Sequence, residues 1–483
     1  HIPALGRDGD FAVYHIAPRG DFATWRATRQ ASGYDVRAFE VKLRPVTAIP
    51  GLRPGTFRVT VTTADGQSTT DTVTIGLGQV TTLNLDVSAA SAAPADGAAA
   101  VDDIVVTGRR LLEVRTSEVA TNVTQQQIND LPQISRNFLN FAALAPGVQV
   151  QEGDTERTIS AGGQPSLTVN VFIDGQSQKS LITDGGIAGQ DDSRGNPFPQ
   201  AAVQEFRVLT QNFKAEYEQA SSAIITSVTR SGTNTFTGDA FVFWQNGDWT
   251  AQNEFARRRG ESKARLDRLQ YGGSVGGPII EDTLHYFLSY ERKEETRERS
   301  VFLNQTAYNG LFTNELGTFE APFEEDLAFG KLSWQIDDRQ RIDLSATYRE
   351  EQDVRDFGNG PTSRDRATAV NGSTRSIVLR HQYQGDGFLN EFSIDYFNSV
   401  YNPRALNFDQ SAGRYVVFRD NVAGGAFNFA YNQIEATIFN FGGGANNQDL
   451  DQEAWTIKND LTFTDLQWMG SHTLKMGVKY SRQ

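Results

Sequence analysis

Arg341-Ile342-Asp343-Leu344-Ser345-Ala346-Thr347-Tyr348-Arg349 (RIDLSATYR) is the stretch that decides the fold. Laid out as an extended chain, it puts Ile342, Leu344, Ala346 and Tyr348 on one face. Arg341, Asp343, Ser345, Thr347 and Arg349 fall on the other. A strict period of two predicts a strand with one apolar and one wet face. Thr283–Glu291 repeats the pattern, with Leu284, Tyr286, Leu288 and Tyr290 on its apolar side. Thr456–Thr464 repeats it too, and so does Thr473–Lys479, where Leu474, Met476 and Val478 oppose Thr473, Lys475 and Lys479. The texture is regular from residue 235 onward.

The spacing of these strands carries the next step. Tight turns are expected near Ile280–Asp282, Asp337–Gln340, Gly385–Gly387 and Leu466–Ser471. Long segments are expected near 246–268, 293–326, 352–373 and 402–453. Short and long connections therefore alternate, which places all short turns at one end of an up-and-down barrel. Membrane-spanning barrels have that asymmetry. A soluble sandwich would share the polar faces but not the rhythm, and a propeller would need a constant repeat, which is not seen.

Composition agrees. The 483 residues include 44 Gly, 31 Phe and 11% aromatics, a profile of turns and strands. With 45 basic and 59 acidic side chains the net charge is -14, which argues against a nucleic-acid partner. There is no Cys, so thiolate chemistry, disulfides and iron–sulfur clusters are excluded. The five His, at 1, 15, 285, 381 and 472, have no metal-ligand spacing. No apolar window is long enough for a transmembrane helix, which leaves strands as the way across a bilayer. The chain opens on His1 without an apolar leader, and the start reads as processed or truncated.

Upstream, residues 1–88 read as a small β-sandwich: Gly55–Ala64 alternates, Asp65-Gly66 signals a turn, and Thr72–Ile75 and Val80–Val87 continue the strands. Residues 1–46 are too irregular for strands to be placed. Residues 89–110 read as a flexible linker, built on the small-residue run Ser88–Ala100. It ends in Asp103-Ile104-Val105-Val106-Thr107-Gly108, a β-branched run that reads either as an edge strand or as a segment that adds to another protein's sheet. Its place after a flexible tether favours the second reading. Residues 111–230 read as a mixed α/β domain. Helices are expected at Thr124–Leu131, capped by Thr124, and at Ser135–Ala143. Strands are expected at Thr168–Asp174, Val203–Leu209 and Ala223–Val228.

Several motifs then resemble one family. Ser231-Gly232-Thr233-Asn234-Thr235-Phe236-Thr237-Gly238-Asp239-Ala240-Phe241 resembles the plug-to-barrel junction of TonB-dependent outer-membrane receptors of the Oar-like branch. Val203–Val208, Phe213–Tyr217, Leu131–Phe138 and Ala145–Val148 resemble its plug motifs, and Gln270–Ile279 resembles its second barrel hairpin. Asp103–Gly108 is similar to a TonB box. The resemblance runs from about residue 52 to the end. It implies a mainly β protein: a carboxypeptidase-regulatory-like β-sandwich (1–88), a linker with TonB box (89–110), a mixed α/β plug (111–230), and from 231 to 483 the first part of a transmembrane antiparallel β-barrel, 22-stranded in the family. It implies energised uptake of a scarce nutrient, outer-membrane lipid and the TonB C-terminal domain as partners, and no cofactor. It also implies a Gram-negative outer membrane, with the sandwich and TonB box periplasmic and the long loops extracellular. Asp103, Ile104, Val105, Val106, Thr107 and Gly108 are the implied partner-binding residues. The sequence departs from the family in three places. Residues 1–46 do not match the usual opening, and Gln219-Ala220-Ser221-Ser222 stands where relatives carry Gly-rich sequence. Residues 235–483 hold only about ten strands at 9–11 residues each, too few to enclose a plug. The chain is therefore expected to be a fragment, with Thr235–Trp244 and His472–Tyr480 as unpaired sheet edges.

Other classes fit less well. No Gly-x-Ser-x-Gly elbow, Ser-His-acid order or phosphate loop occurs, so no catalytic residue is named. Gly272–Gly277 lies in a strand pattern with no helix after it, so close strand packing explains it better than a dinucleotide loop. Asp191-Asp192 reads as a solvated loop rather than a calcium site. A passive pore or adhesin would share the strands without needing Asp103–Gly108, and a signalling receptor would carry an α/β module at its start. Aromatics crowd the expected loops, among them Trp244, Trp249, Phe255, Tyr308, Phe312, Phe319, Phe323, Phe427, Phe429, Tyr431, Phe439 and Phe441. They suit either ligand stacking or rim anchoring, and no substrate residue is assigned.

Overall fold

A computed structural model of the chain describes residues 118–483, apart from 154–156, 183–185, 192, 253, 259–262, 264, 407–414, 429–432, 444–446 and 468–470, and the backbone of four earlier strands. Those four are β1 (Ala23–Ala27), β2 (Phe39–Pro45), β3 (Gly55–Thr62) and β4 (Ser68–Ile75), paired antiparallel as β1–β2 and β3–β4. The first pair falls within residues 1–46, too irregular in sequence for strands to be expected. The strand expected at Val80–Val87, the linker and Asp103–Gly108 lie outside the described residues.

An inner α/β module follows. It comprises β5 (Val119–Val123), α1 (Gln125–Asp130), a 3-10 helix (Phe138–Leu144), β6 (Val148–Glu152), β7 (Arg157–Ala161), β8 (Val169–Ile173), β9 (Gln176–Ser177), β10 (Val203–Gln211) and β11 (Ala223–Thr229). The order β5-β10-β11-β8-β9 forms one sheet in which only β11–β8 is parallel, and β6–β7 is a separate hairpin. Helix α1 starts as expected, because Thr124 and Gln127 cap each other reciprocally. The second helix does not start at Ser135. Arg136 takes a left-handed φ of 52°, which an α-helix cannot absorb, and the 3-10 turn begins only after Asn137 accepts the Leu139 N–H at 3.1 Å. The atypical Gln219 sits at φ 53°, the conformation a glycine would adopt without strain, and Ser221 and Ser222 both donate their N–H groups to the Thr168 carbonyl behind it.

The rest of the chain builds a wall. It comprises β12 (Thr237–Gln245), α2 (Glu254–Arg258), β13 (Leu266–Ile280), β14 (Leu284–Val301), β15 (Gly317–Asp337), β16 (Gln340–Arg355), β17 (Thr368–Gly385), β18 (Phe388–Ala405), β19 (Tyr415–Asn428), β20 (Gln433–Gly442), β21 (Leu450–Gln467) and β22 (Ser471–Arg482). Nine of these strands form one antiparallel sheet, β12-β13-β14-β15-β16-β17-β18-β21-β22, and β19–β20 is a separate hairpin. Among the described residues the two edge strands, β12 and β22, do not pair with each other, so the sheet is open where the sequence places its edges. No helix among the described residues is long and apolar enough to cross a membrane.

The deciding stretch behaves as its alternation requires. Asp343, Ser345 and Arg349 are buried on the inner face, while Leu344 and Tyr348 are exposed on the outer one. Strand lengths, however, exceed expectation. The 293–326 segment is mostly strand, and β14 and β15 stay in register from Leu284↔Trp334 to Val301↔Gly317. Beyond Tyr290 the outer face turns charged, with Arg292 held by Glu294, Glu324 and Asp326. Both faces are then polar, and the period-two signal disappears although the backbone ladder continues. The true long connections are 302–316, 356–367 and 406–449, with 246–265 nearest to the expected span.

The Gly-rich stretch lies wholly within β13, not across a hairpin, and its hairpin turn comes after Ile280. A side chain at Gly272 would meet the Tyr290 carbonyl at 2.3 Å and the Phe241 ring at 3.0 Å, so glycine there lets an aromatic lie across the neighbouring strand.

Candidate functional site between the inner module and the wall

The inner module lies against the concave face of the wall, and the contact surface has two kinds of chemistry. One is apolar. Phe198 of the module packs edge-on to Phe329 of β15 with centroids 5.3 Å apart, and Phe287 and Phe329 join the buried cluster of Phe138, Phe206, Val171 and Ile225. The other is polar and ionic, and Arg349, Arg194, Lys331 and Arg136 are among the cations that carry it.

Arg349 of β16 is 1% exposed. It pairs with Glu325 at 3.2 Å and Glu351 at 2.6 Å, and donates to the module at the Asn196 carbonyl (2.8 Å) and Ser193 Oγ (2.9 Å). Glu325 accepts in return from the Asn196 N–H at 2.7 Å. Arg194, a module residue, reaches the opposite way to Asp353 (2.6 Å) and Glu295 (3.5 Å), with its guanidinium 5.0 Å from the Phe323 ring. Phe323 is thus an inward residue of β15 rather than a loop aromatic. Lys331 joins Asp174 (3.0 Å) and Thr229 Oγ1 (2.6 Å). Arg136 chelates Glu291 through Nε (3.2 Å) and Nη2 (3.0 Å) while lying 3.6 Å over the Phe241 ring. The close approach needs glycine at Gly195, where a Cβ would fall 2.1 Å from Glu325 Oε1.

Burial sets the electrostatics inside the module. It pulls the Arg194 guanidinium below its ordinary range, with Asp353 and Glu295 opposing the shift. It does the same to Arg157, opposed by Glu152 and Glu325. Buried ion pairs contribute little net stability compared with apolar packing, but losing one partner is costly, so such contacts fix geometry while remaining able to rehydrate. None of these cross-contacts is legible in the sequence, because partners lie more than 100 residues apart, as with Arg194 and Glu295 or Arg136 and Glu291.

The sequence-derived site, Asp103–Gly108, lies outside the described residues. The first described residue after it is Glu118, where the chain enters edge strand β5. The Glu118 carboxylate is held by Arg207 (3.4 Å) and Lys214 (3.7 Å). No group of three or more His, Asp or Glu side chains placed to hold a metal occurs among the described residues, and Asp192 lies outside them.

Five of the expected loop aromatics, Tyr308, Phe312, Phe319, Phe439 and Phe441, pack in one cluster, whereas Trp244, Trp249 and Phe255 are exposed. Tyr308, Phe312, Phe319 and Phe441 pack around buried Val301, Phe357, Ile438 and Phe439 in a core of their own, with Phe312 and Phe439 centroids 4.7 Å apart. The β19–β20 hairpin supplies Phe418, Ala436, Ile438, Phe439 and Phe441 to it. Its signal lies in the alternation of Ile434, Ala436 and Ile438, inside the long segment expected at 402–453.

Residues 228–313 match the family model of an outer membrane beta barrel domain. A stretch of 202 residues, 38% of the chain and 18% of the relative, is 27% identical to the TonB-dependent transporter Oar of Myxococcus xanthus. The chain is an Oar homologue. Its fold is that of the solved outer membrane transporter YddB of Escherichia coli, with a TM-score of 0.54 at 13% identity over 75% of this chain and 48% of that one. The chain thus spans about half the length of that transporter, and a smaller part of the Myxococcus relative. The wall of this Oar homologue belongs to an outer-membrane β-barrel, and the protein resides in the outer membrane of a Gram-negative bacterium.

Proposed function

We propose that this Oar homologue takes up a scarce nutrient (a peptide, carbohydrate or chelate) by a plug movement driven from the inner membrane, and that it is not an enzyme. The TonB C-terminal domain adds Asp103–Gly108 to a sheet edge and pulls. In this reading residues 1–88 form a periplasmic sandwich, residues 89–110 are the tether, and the long connections face the outside.

The observation that carries the reading is how the plug is held. The strongest contacts between the wall and the inner module, which is the plug in this reading, are the ion pairs of Arg194 with Asp353, Lys331 with Asp174 and Arg136 with Glu291, and the hydrogen bonds that Arg349 of the wall donates to Asn196 and Ser193. A module fixed that way seals the lumen at rest. Work applied along a strand can separate it, since water replaces each charged partner as the contact opens. A pulled segment enters through β5, an edge strand that leaves the sheet without breaking its centre.

The test is Val105→Pro in the full-length receptor. Proline removes a ladder donor and fixes φ, so strand addition fails. The variant should lose capture by the purified TonB C-terminal domain and lose uptake of the cargo identified by mass spectrometry of the purified receptor, while still binding that cargo. Wild-type uptake by this variant would rule the segment out and favour a passive pore.

A further inference from the structure

Ser231-Gly232-Thr233-Asn234 joins the inner module to the wall, and it does so without slack. On the module side β11 ends at Thr229, whose N–H and hydroxyl both donate to the Asp174 carboxylate (3.0 and 2.5 Å). Lys331 of β15 donates to the same two residues, at Asp174 Oδ2 (3.0 Å) and Thr229 Oγ1 (2.6 Å). Arg230 holds both sides. Its N–H donates to the Ala202 carbonyl (2.8 Å), while its guanidinium lies 3.6 Å from Asp239 of β12 and 4.9 Å over the Phe287 ring of β14. Gly232 lies so close to the β13–β14 hairpin that a Cβ would fall 2.2 Å from the Tyr286 carbonyl oxygen and 2.7 Å from that of Gly277. Asn234 then closes on the hairpin turn. Its side-chain amide donates to the Asp282 carboxylate, its Oδ1 accepts the Asp282 N–H at 2.8 Å, and His285 Nε2 lies 2.7 Å from that oxygen.

These fixed points limit how the module can move. β11 is the central strand of its sheet, β5-β10-β11-β8-β9. From Thr229 to Gly232 there are three residue steps, at most about 11 Å of extended chain. Five strands at about 4.8 Å make the sheet roughly 20 Å across. The module therefore cannot clear the wall as a rigid body while Gly232 and Asn234 stay seated. Its other ionic contacts lie progressively farther from the junction. Lys331 is level with Gly232, because Tyr286 pairs with Leu332. Glu291, Leu327 and Arg349 share a row four residues along from Lys331, and Glu295, Phe323 and Asp353, which meet Arg194, share a row eight residues along. Eight residues of strand span roughly 26 Å.

We infer that Thr229–Asn234 is a fixed hinge: a pull on β5 swings the plug about it, opening the contacts of Arg136, Arg349 and Arg194 while those of Lys331 and Arg230 hold, and the plug stays inside the barrel throughout. β5 stands two strands from β11, which gives the pull a lever arm of about 10 Å. The contacts farthest from the hinge then open widest. This inference rests on the energised-transport reading.

The chain has no Cys, which makes single thiols clean reporters. Ser193→Cys and Ser135→Cys report on the far end, beside Arg349 and Arg136, and Ser333→Cys and Ser345→Cys on the hinge end, in the rows of His285 and Lys331; all four serines are buried. Each is placed in the full-length receptor, in a background free of other cysteines, and treated in cells with a membrane-impermeant maleimide, with and without a protonophore. Ser135→Cys covers the case in which Ser193→Cys fails to assemble. The expected result is several-fold faster labelling at 193 and 135 in energised cells, lost with the protonophore, with 333 and 345 unchanged. The pair Asn234→Cys and Asp282→Cys, bridged by a disulfide verified by mass, pins the junction to the wall and should leave the energy-dependent labelling at 193 as it was. Energy-dependent labelling at 333 or 345 that equals that at 193, or loss of the response at 193 on bridging, means that the plug leaves as a body; either overturns the hinge and leaves energised transport standing. Labelling that ignores the protonophore at every position would overturn both.

Discussion

Arg349→Met tests whether the plug is held by charge. The substitution keeps an unbranched apolar stem and removes the guanidinium. Two ion pairs disappear, at 3.2 and 2.6 Å, together with two hydrogen bonds to plug atoms at 2.8 and 2.9 Å. Glu325 and Glu351, 1% and 3% exposed, are left as buried carboxylates. Removing one partner of a buried pair costs about 3–5 kcal/mol, most of it the penalty of the stranded charge. Glu325 keeps the Asn196 N–H and Glu351 keeps the Ser193 hydroxyl, which points to the lower end of that range. At 1.36 kcal/mol per decade, local opening should become more frequent by roughly a hundredfold to a thousandfold. Hydrogen exchange at the amides of Gly195 and Asn196 in the detergent-solubilised receptor reads this directly. Arg349→Met/Glu325→Gln should recover part of the loss, with a coupling energy of roughly 0.5–3 kcal/mol, because the stranded charge leaves with its partner. Unchanged exchange in the single variant, or a double variant no slower to exchange than the single, would refute the view that these charges clamp the plug.

Three further outcomes are expected. Leu344→Arg puts a charge on the exposed outer face of β16 and should destabilise the folded barrel by roughly 2–4 kcal/mol in a reversible denaturant titration in lipid; no loss would mean this face does not meet hydrocarbon. Thr124→Ala removes the half of the capping box in which the Thr124 hydroxyl accepts the Gln127 N–H, leaving the Gln127 side chain on the residue-124 N–H, and should cost about 1 kcal/mol, seen as faster exchange at Gln127 with the wall unaffected. Gly272→Val forces a side chain into the Tyr290 carbonyl and should block assembly of the β12–β13–β14 ladder, visible as loss of the heat-modifiable band on semi-native gels, whereas Gly310→Val, where a Cβ meets nothing within 4 Å, should assemble normally.

The wall was legible in the sequence because its chemistry repeats at the period of the backbone. Ile342 to Tyr348 must alternate, since one face meets an apolar surround and the other the plug, and a register slip of one residue would exchange them. The short turns were legible for a different reason. Asp282 and Gly387, at φ 60° and 85°, are residue types that tolerate the left-handed region, and they sit where strands reverse. Legibility ends at Tyr290, where Arg292, Glu294, Glu324 and Asp326 form an ionic patch on the outer face while Lys293 and Glu295 are buried on the inner one. Charge on both faces reads as loop by any pattern rule, yet the strand persists because its backbone partners are already in register from below.

The plug interface was illegible for a more basic reason. A buried Arg announces itself only through its partners, and those of Arg194 come from β14 and β16, 101 and 159 residues away. The loop aromatics show the same limit from the apolar side. Phe312, Phe439 and Phe441 are as hydrophobic as any rim anchor, but they are spent on one another, which binds three long connections into a single packed unit. A core of that kind resists independent loop movement, because displacing one connection would expose the rings of the other two. The parts of this receptor that can move cheaply are therefore not its outer loops taken singly. They are the places where contacts are polar rather than aromatic, such as the entry of edge strand β5, where the Glu118 carboxylate is held by Arg207 and Lys214.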